Sequence, residues 1–139
     1  MAATQPVVAP TTVSAQKAAT ASIQAFTVEE QELAQKAQVL VEQRREGRIT
    51  DRELGEGIER DLLPGWNSAY ARFAAIRLGE GAPAAARLRL ITDFVGKRRD
   101  MFTEYAAGLK SGDRERLRRA EALSAEAQAL VKAMREKQN

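Results

Sequence analysis

The chain has 139 residues, of which 44% are hydrophobic and 29% are charged, and its formal net charge at neutral pH is +3. It contains no cysteine and no histidine, which excludes thiolate nucleophiles, zinc sites built from those residues and imidazole acid–base catalysis. The 22 basic and 19 acidic side chains are interspersed. This is typical of solvated helix surfaces, so we do not expect a nucleic-acid partner.

Residues 1–25 are rich in Ala, Thr and Pro and offer little apolar surface to offset the entropy lost on ordering, so we predict a flexible tail there. The remainder, 26–139, is predicted to be a helical bundle. No apolar run is long enough to span a membrane. Residues 1–20 lack the basic start and apolar core of a signal peptide. The default expectation is a cytoplasmic protein, and a periplasmic or envelope-tethered form stays open if a leader has been removed.

The first two predicted helices begin at capping boxes. Thr27 with Glu30 starts helix one, which ends at Gly47, and Thr50 with Glu53 starts helix two. The apolar stripe of helix two stays in phase across Pro64, so we predict one kinked helix over residues 51–78.

Helix three is predicted from Pro83 to about Leu109, and its apolar stripe alternates in steps of three and four. Asp113 is a natural N-cap for helix four, which reaches about Lys137. Because short loops make successive helices antiparallel neighbours, the fold class predicted is all-α: an antiparallel four-helix up-down bundle with a flexible N-terminal tail. The stripe of helix three consists of Leu88, Ile91, Val95, Arg98, Phe102, Tyr105 and Leu109.

Arg98 is the one charged residue in that stripe. Folding each hairpin about its loop places Arg98 level with Asp61, Trp66 and Ser124. An arginine inside a bundle needs a partner, and Asp61 is the predicted one, with Trp66 offering a ring face. Two interpretations stay open: a structural polar layer, or an anchor for a ligand or partner. No cofactor or metal site is expected, because the di-iron pattern of bundles requires histidines.

Three short stretches resemble one known family. They are residues 61–66 (Asp-Leu-Leu-Pro-Gly-Trp), residues 94–98 followed by Phe102 and Tyr105, and residues 109–113. Together they are similar to the helical C-terminal region that follows the membrane domain in some bacterial rhomboid-family proteins, and to related envelope proteins of unknown function. The resemblance covers about residues 50–135, and Trp66 and Arg98 are its matching positions. It implies a bacterial accessory bundle without proteolytic activity, since the protease motifs are missing.

The sequence therefore predicts a non-enzymatic interaction or accessory module of a bacterial protein assembly. Its expected partner is another protein or a second copy of the chain. The alternative is a bundle that binds a small anionic ligand near Arg98 and Trp66.

Overall fold

The computed structural model describes residues 13–138, with side chains as far as residue 136. No strand occurs within this range, so the predicted all-helical fold class is confirmed. None of the helices described is both long and apolar enough to cross a membrane. In chain order the helices are α1 Val13–Arg45, α2 Asp51–Asp61, α3 Leu63–Ala74, α4 Ala85–Ser111 and α5 Arg114–Gln138.

The first helix begins much earlier than its sequence pattern predicted. We expected a start at Thr27, but α1 runs from Val13, so residues 13–25 of the predicted tail are helical, and residues 1–12 lie outside the described range. The physical reason is an apolar stripe in which Ala19, Ile23 and Phe26 are all buried. That stripe continues in phase to Leu33 and Leu40, so Thr27 lies within a helix.

The second predicted helix is two helices. Instead of one kinked helix over 51–78, α2 ends at Asp61, α3 begins at Leu63 and α3 ends at Ala74. Pro64 lies in the first turn of α3, and proline has no N–H to donate to the carbonyl four residues earlier. The apolar stripe nevertheless stays in phase across the break, because Leu62 and Trp66 are both buried.

The capping predictions for α2 and α5 are confirmed. The Thr50 hydroxyl accepts a hydrogen bond from the backbone N–H of Glu53, and the Glu53 carboxylate accepts one from the N–H of Thr50. At α5, a carboxylate oxygen of Asp113 accepts a hydrogen bond from the N–H of Glu115 at 3.0 Å. Both ends therefore satisfy backbone donors that would otherwise lack partners.

Helix α4 is the centre of the bundle. It packs against α2, α3 and α5, while α1 lies mainly on α2 and α3. Within the described chain, no Cα atom of α1 comes within 8 Å of a Cα atom of α5. The first and last helices therefore flank α4 without close contact between their backbones. The large side chains that are almost completely buried are Ile58, Leu62, Phe73 and Val95.

Two glycines allow α1 to approach α2 and α3 closely. A Cβ atom at Gly57 would lie 2.7 Å from Leu40 Cδ2, and a Cβ atom at Gly65 would lie 2.7 Å from Leu33 Cδ2. Both distances are shorter than van der Waals contact, so a larger residue at either position would displace the leucines. A bidentate ion pair also joins α1 to α3, between Glu29 and Arg72, with N–O distances of 2.6 and 3.0 Å.

Candidate functional site

Arg98 lies in α4, half-buried on the side that faces α1. Its Nη1 donates a long, weak hydrogen bond to Met101 Sδ at 3.5 Å, and its guanidinium carbon lies 5.5 Å from the centre of the Phe94 ring. No carboxylate of the described residues comes within ion-pair distance of it. The guanidinium therefore retains donors that no side chain satisfies.

The predicted ion pair between Arg98 and Asp61 is wrong. The Asp61 carboxylate binds the neighbouring Arg60 in a bidentate pair at 2.9 and 3.0 Å, and that pair lies towards solvent. This pairing lowers the pKa of Asp61. The hairpin estimate gave the correct level along the bundle but not the direction of the side chain, since residues one position apart on a helix point about 100° apart.

The charged residue that faces Arg98 is Glu30 of α1. Burial raises the pKa of the Glu30 carboxyl, and the positive charge of Arg98 partly opposes that shift. Burial likewise lowers the pKa of Arg98, and the charge of Glu30 opposes it. Sequence analysis assigned Glu30 to a capping box and missed this role. The available signal was its position in the α1 stripe, four residues after Phe26 and three before Leu33.

A cavity of about 260 Å³ lies beside Glu30 and Arg98, between α1, α3 and α4. Apart from these two charged residues its lining is apolar, and Trp66 and Phe102 stack with their ring centroids 6.1 Å apart. Trp66 and Arg98, both predicted site residues, are thus brought to one cavity. Its remaining lining residues are Leu33, Ala34 and Ala37.

The indole of Trp66 contributes an unsatisfied polar group. The side chain is 4% exposed, and its Nε1–H has no acceptor among the described residues. A buried donor without an acceptor costs about 1–3 kcal/mol. The Nε1 atom has essentially no accessible surface, so this donor is also closed off from the cavity.

Ser124, the fourth predicted site residue, is half-buried in α5. It is not among the residues that line the cavity beside Arg98. The α5 residue that reaches this level of α4 is Glu126, whose carboxylate binds Lys97 Nζ at 2.7 Å. Trp66 and Arg98 therefore meet at one cavity, whereas Asp61 and Ser124 lie elsewhere.

A second cavity, of about 360 Å³, occupies the space between α1 and α5, and Glu30 lines both cavities. We call this second cavity the α1–α5 groove. Helix α4 contributes to its lining, because Cα atoms of α1 and α5 stay more than 8 Å apart. Its apolar lining residues are Ile23 and Phe26 of α1, Ile91 and Phe94 of α4, and Val131 and Met134 of α5.

The charge around this groove is mainly positive. Arg87 and Arg135 line it, and neither forms an ion pair with any described residue, whereas most arginines of the described chain do. With Arg98 in the adjoining cavity, three arginines without carboxylate partners surround one acid, Glu30. The groove therefore combines an apolar lining with unpaired positive charge.

No group of three or more potential metal-ligating side chains occurs between residues 13 and 136. The basic residues at the turn between α4 and α5 are largely paired. Arg116 and Arg119 both contact the carboxylate of Glu104, and Arg118 contacts Glu115.

Comparison with known proteins supplies no neighbour: no family model, no curated protein and no solved structure matches the chain.

Proposed function

We propose that the chain is a non-enzymatic interaction module, an accessory part of a bacterial protein assembly. In this proposal the α1–α5 groove binds an amphipathic helix of another protein. The observation that carries the proposal is that a cavity lined by apolar side chains of three helices lies where, in the described chain, no Cα atom of α1 comes within 8 Å of a Cα atom of α5. Val131 and Met134 are only partly buried. The apolar face of a helix docked over them would cover this remaining surface, and binding of an amphipathic helix in a groove is a common mode of peptide recognition.

The arginines of the groove indicate that the proposed partner carries acidic residues. Arg87 and Arg135 line the groove without carboxylate partners, and Arg98 lies in the adjoining cavity. An inserted helix with Asp or Glu beside its apolar stripe would pair with these arginines, and complementary charge favours both encounter and register. We therefore assign the groove to an acidic amphipathic helix.

We propose further that the bundle is antiparallel and up-down, as the short loops predict. Two contacts between α4 and α5 support this arrangement, because they join early to late positions. Lys97 contacts Glu126, and further along α4 Glu104 contacts Arg116, which is earlier in α5. The resemblance to rhomboid accessory regions stays a prediction, and it agrees with an accessory role.

Site-specific photo-cross-linking in the cells that produce the chain tests this proposal. Benzoylphenylalanine in place of Met134 positions the reactive group in the groove. The same residue in place of Lys132 provides the control, since Lys132 is exposed on the same helix. We expect a cross-linked product from position 134 and not from 132. Mass spectrometry should map that product to a segment with apolar residues three and four apart, flanked by Asp or Glu.

Three results would overturn the proposal. One is a yield at position 134 no greater than that at 132. Another is a product that maps to a segment without the amphipathic acidic pattern. A product that joins two copies of this chain would replace the partner protein with self-association.

A further inference from the structure

We propose that the cavity between Trp66, Arg98 and Glu30 is a binding site for a small apolar carboxylate, a ligand with an aryl or alkyl body and one carboxylate group. This inference goes beyond the proposed function, because it concerns a different cavity and a different class of ligand. The two cavities adjoin at Glu30.

The donors of the cavity favour a carboxylate. The guanidinium of Arg98 is planar and suits bidentate binding of a carboxylate, and its only hydrogen bond within the described chain is the weak one to Met101 Sδ. The two oxygens of one carboxylate can accept two parallel N–H bonds from the Arg98 guanidinium.

The size and lining of the cavity favour an apolar ligand body. Its volume is about 260 Å³, and an apolar cavity of about 150 Å³ holds one benzene molecule, so about ten non-hydrogen atoms fit here. The side chain of Leu33 and the ring of Phe102 would contact the ligand body. Phenylacetate and octanoate both have this size, and they represent the aryl and alkyl classes.

Glu30 determines how strongly the site accepts an anion. When ionised, its carboxylate repels a bound carboxylate and competes for the positive charge of Arg98. When protonated, it can donate an O–H to the ligand, and burial raises the pKa of this carboxyl. A neutral glutamine at position 30 should therefore strengthen binding of the ligand.

Fluorescence titration of the full chain tests the inference, because Trp66 is its only tryptophan. The probes are phenylacetate and octanoate, with phenylacetamide as the neutral match for the first. We expect a saturable fluorescence change with at least one of the two acids. If phenylacetate binds, it should bind more tightly than phenylacetamide. The Glu30→Gln variant should bind the same acid more tightly than the unmodified chain does. Arg98→Met should weaken binding of that acid roughly tenfold or more, as expected for a lost charge-assisted hydrogen bond.

Arg89→Met provides the matched control, since Arg89 is on the same helix but lines a different cavity. Its affinity for the acids should equal that of the unmodified chain.

No saturable response to either acid would overturn the inference, and so would equal affinities of Arg98→Met and Arg89→Met. If Arg98→Met does not fold, the Glu30→Gln comparison decides, and unchanged or weaker binding there contradicts the inference. Photo-cross-linking at position 134 is independent of this titration, so failure of one does not imply failure of the other.

Discussion

Replacing Phe73 with alanine is expected to lower the free energy of unfolding by about 3–5 kcal/mol, the usual cost of removing a buried aromatic side chain. Phe73 is 1% exposed, and its ring lies edge-to-face with that of Phe26 at 5.5 Å. Phe26 in turn contacts Trp66 at 5.8 Å. The substitution therefore removes one of the contacts through which α1 packs on α3. Urea denaturation followed by circular dichroism at 222 nm measures the loss.

Phe102→Ala is the control for Phe73→Ala. Phe102 is only half-buried and lines the cavity beside Arg98, so part of its surface already contacts solvent and its removal should cost clearly less. A loss below about 1 kcal/mol for Phe73→Ala would contradict this packing. Equal losses for the two variants would contradict it as well.

Ile23→Ala is expected to cost about 2–4 kcal/mol, as for other buried aliphatic residues. Ile23 is 6% exposed and lies in the part of α1 that its sequence alone assigned to a mobile tail. A substantial loss would show that this segment packs on the bundle. The measurement is the midpoint and slope of urea denaturation, compared with those of the unmodified chain.

Val28→Ala is the matched control for Ile23→Ala. Val28 is on the same helix, only five residues away, but it is 56% exposed. Its replacement should change the free energy of unfolding by no more than about 0.5 kcal/mol. If Ile23→Ala costs no more than Val28→Ala, the first turns of α1 are not docked, and the original boundary of the tail is correct.

Local sequence rules predicted α4, α5 and the start of α2 well. The apolar stripe from Leu88 onward continues along most of α4 without an interrupting proline. The Thr50 capping box marks the start of α2, and the apolar stripe of α2 follows it directly. In such segments, cap chemistry and apolar spacing favour the same helix. Agreement of these independent signals is what makes a segment predictable.

The same rules failed where one residue satisfied two of them. Glu30 completes a capping box with Thr27 and also continues the stripe of α1, and only burial of Ala19 and Ile23 decides between these roles. Because the N-terminal segment is rich in Ala and Thr, few large apolar residues define its apolar stripe, and the stripe is hard to recognise. The partner that stabilises it, α3 with Phe73, lies far away in the sequence.

The candidate site was only partly predictable for a similar reason. Counting from the loops placed Trp66 level with Arg98, and the structure has both at one cavity. The counterpart of Arg98 was not predictable in this way, because Glu30 is on a helix that is not its neighbour in the chain. The groove itself depends on the spacing between α1 and α5, which no local pattern specifies.

The most direct test of the open groove uses cysteines in place of Thr27 and Arg135, which line it from α1 and α5. The chain has no cysteine of its own, so the introduced pair reacts specifically. A disulfide requires Cα atoms within about 7 Å of each other. Since all Cα atoms of α1 and α5 are more than 8 Å apart in the described chain, we predict little disulfide on mild oxidation but efficient bridging by a flexible bismaleimide. Rapid, complete disulfide formation would show that the groove closes in solution and would contradict the account, as would failure of both reagents.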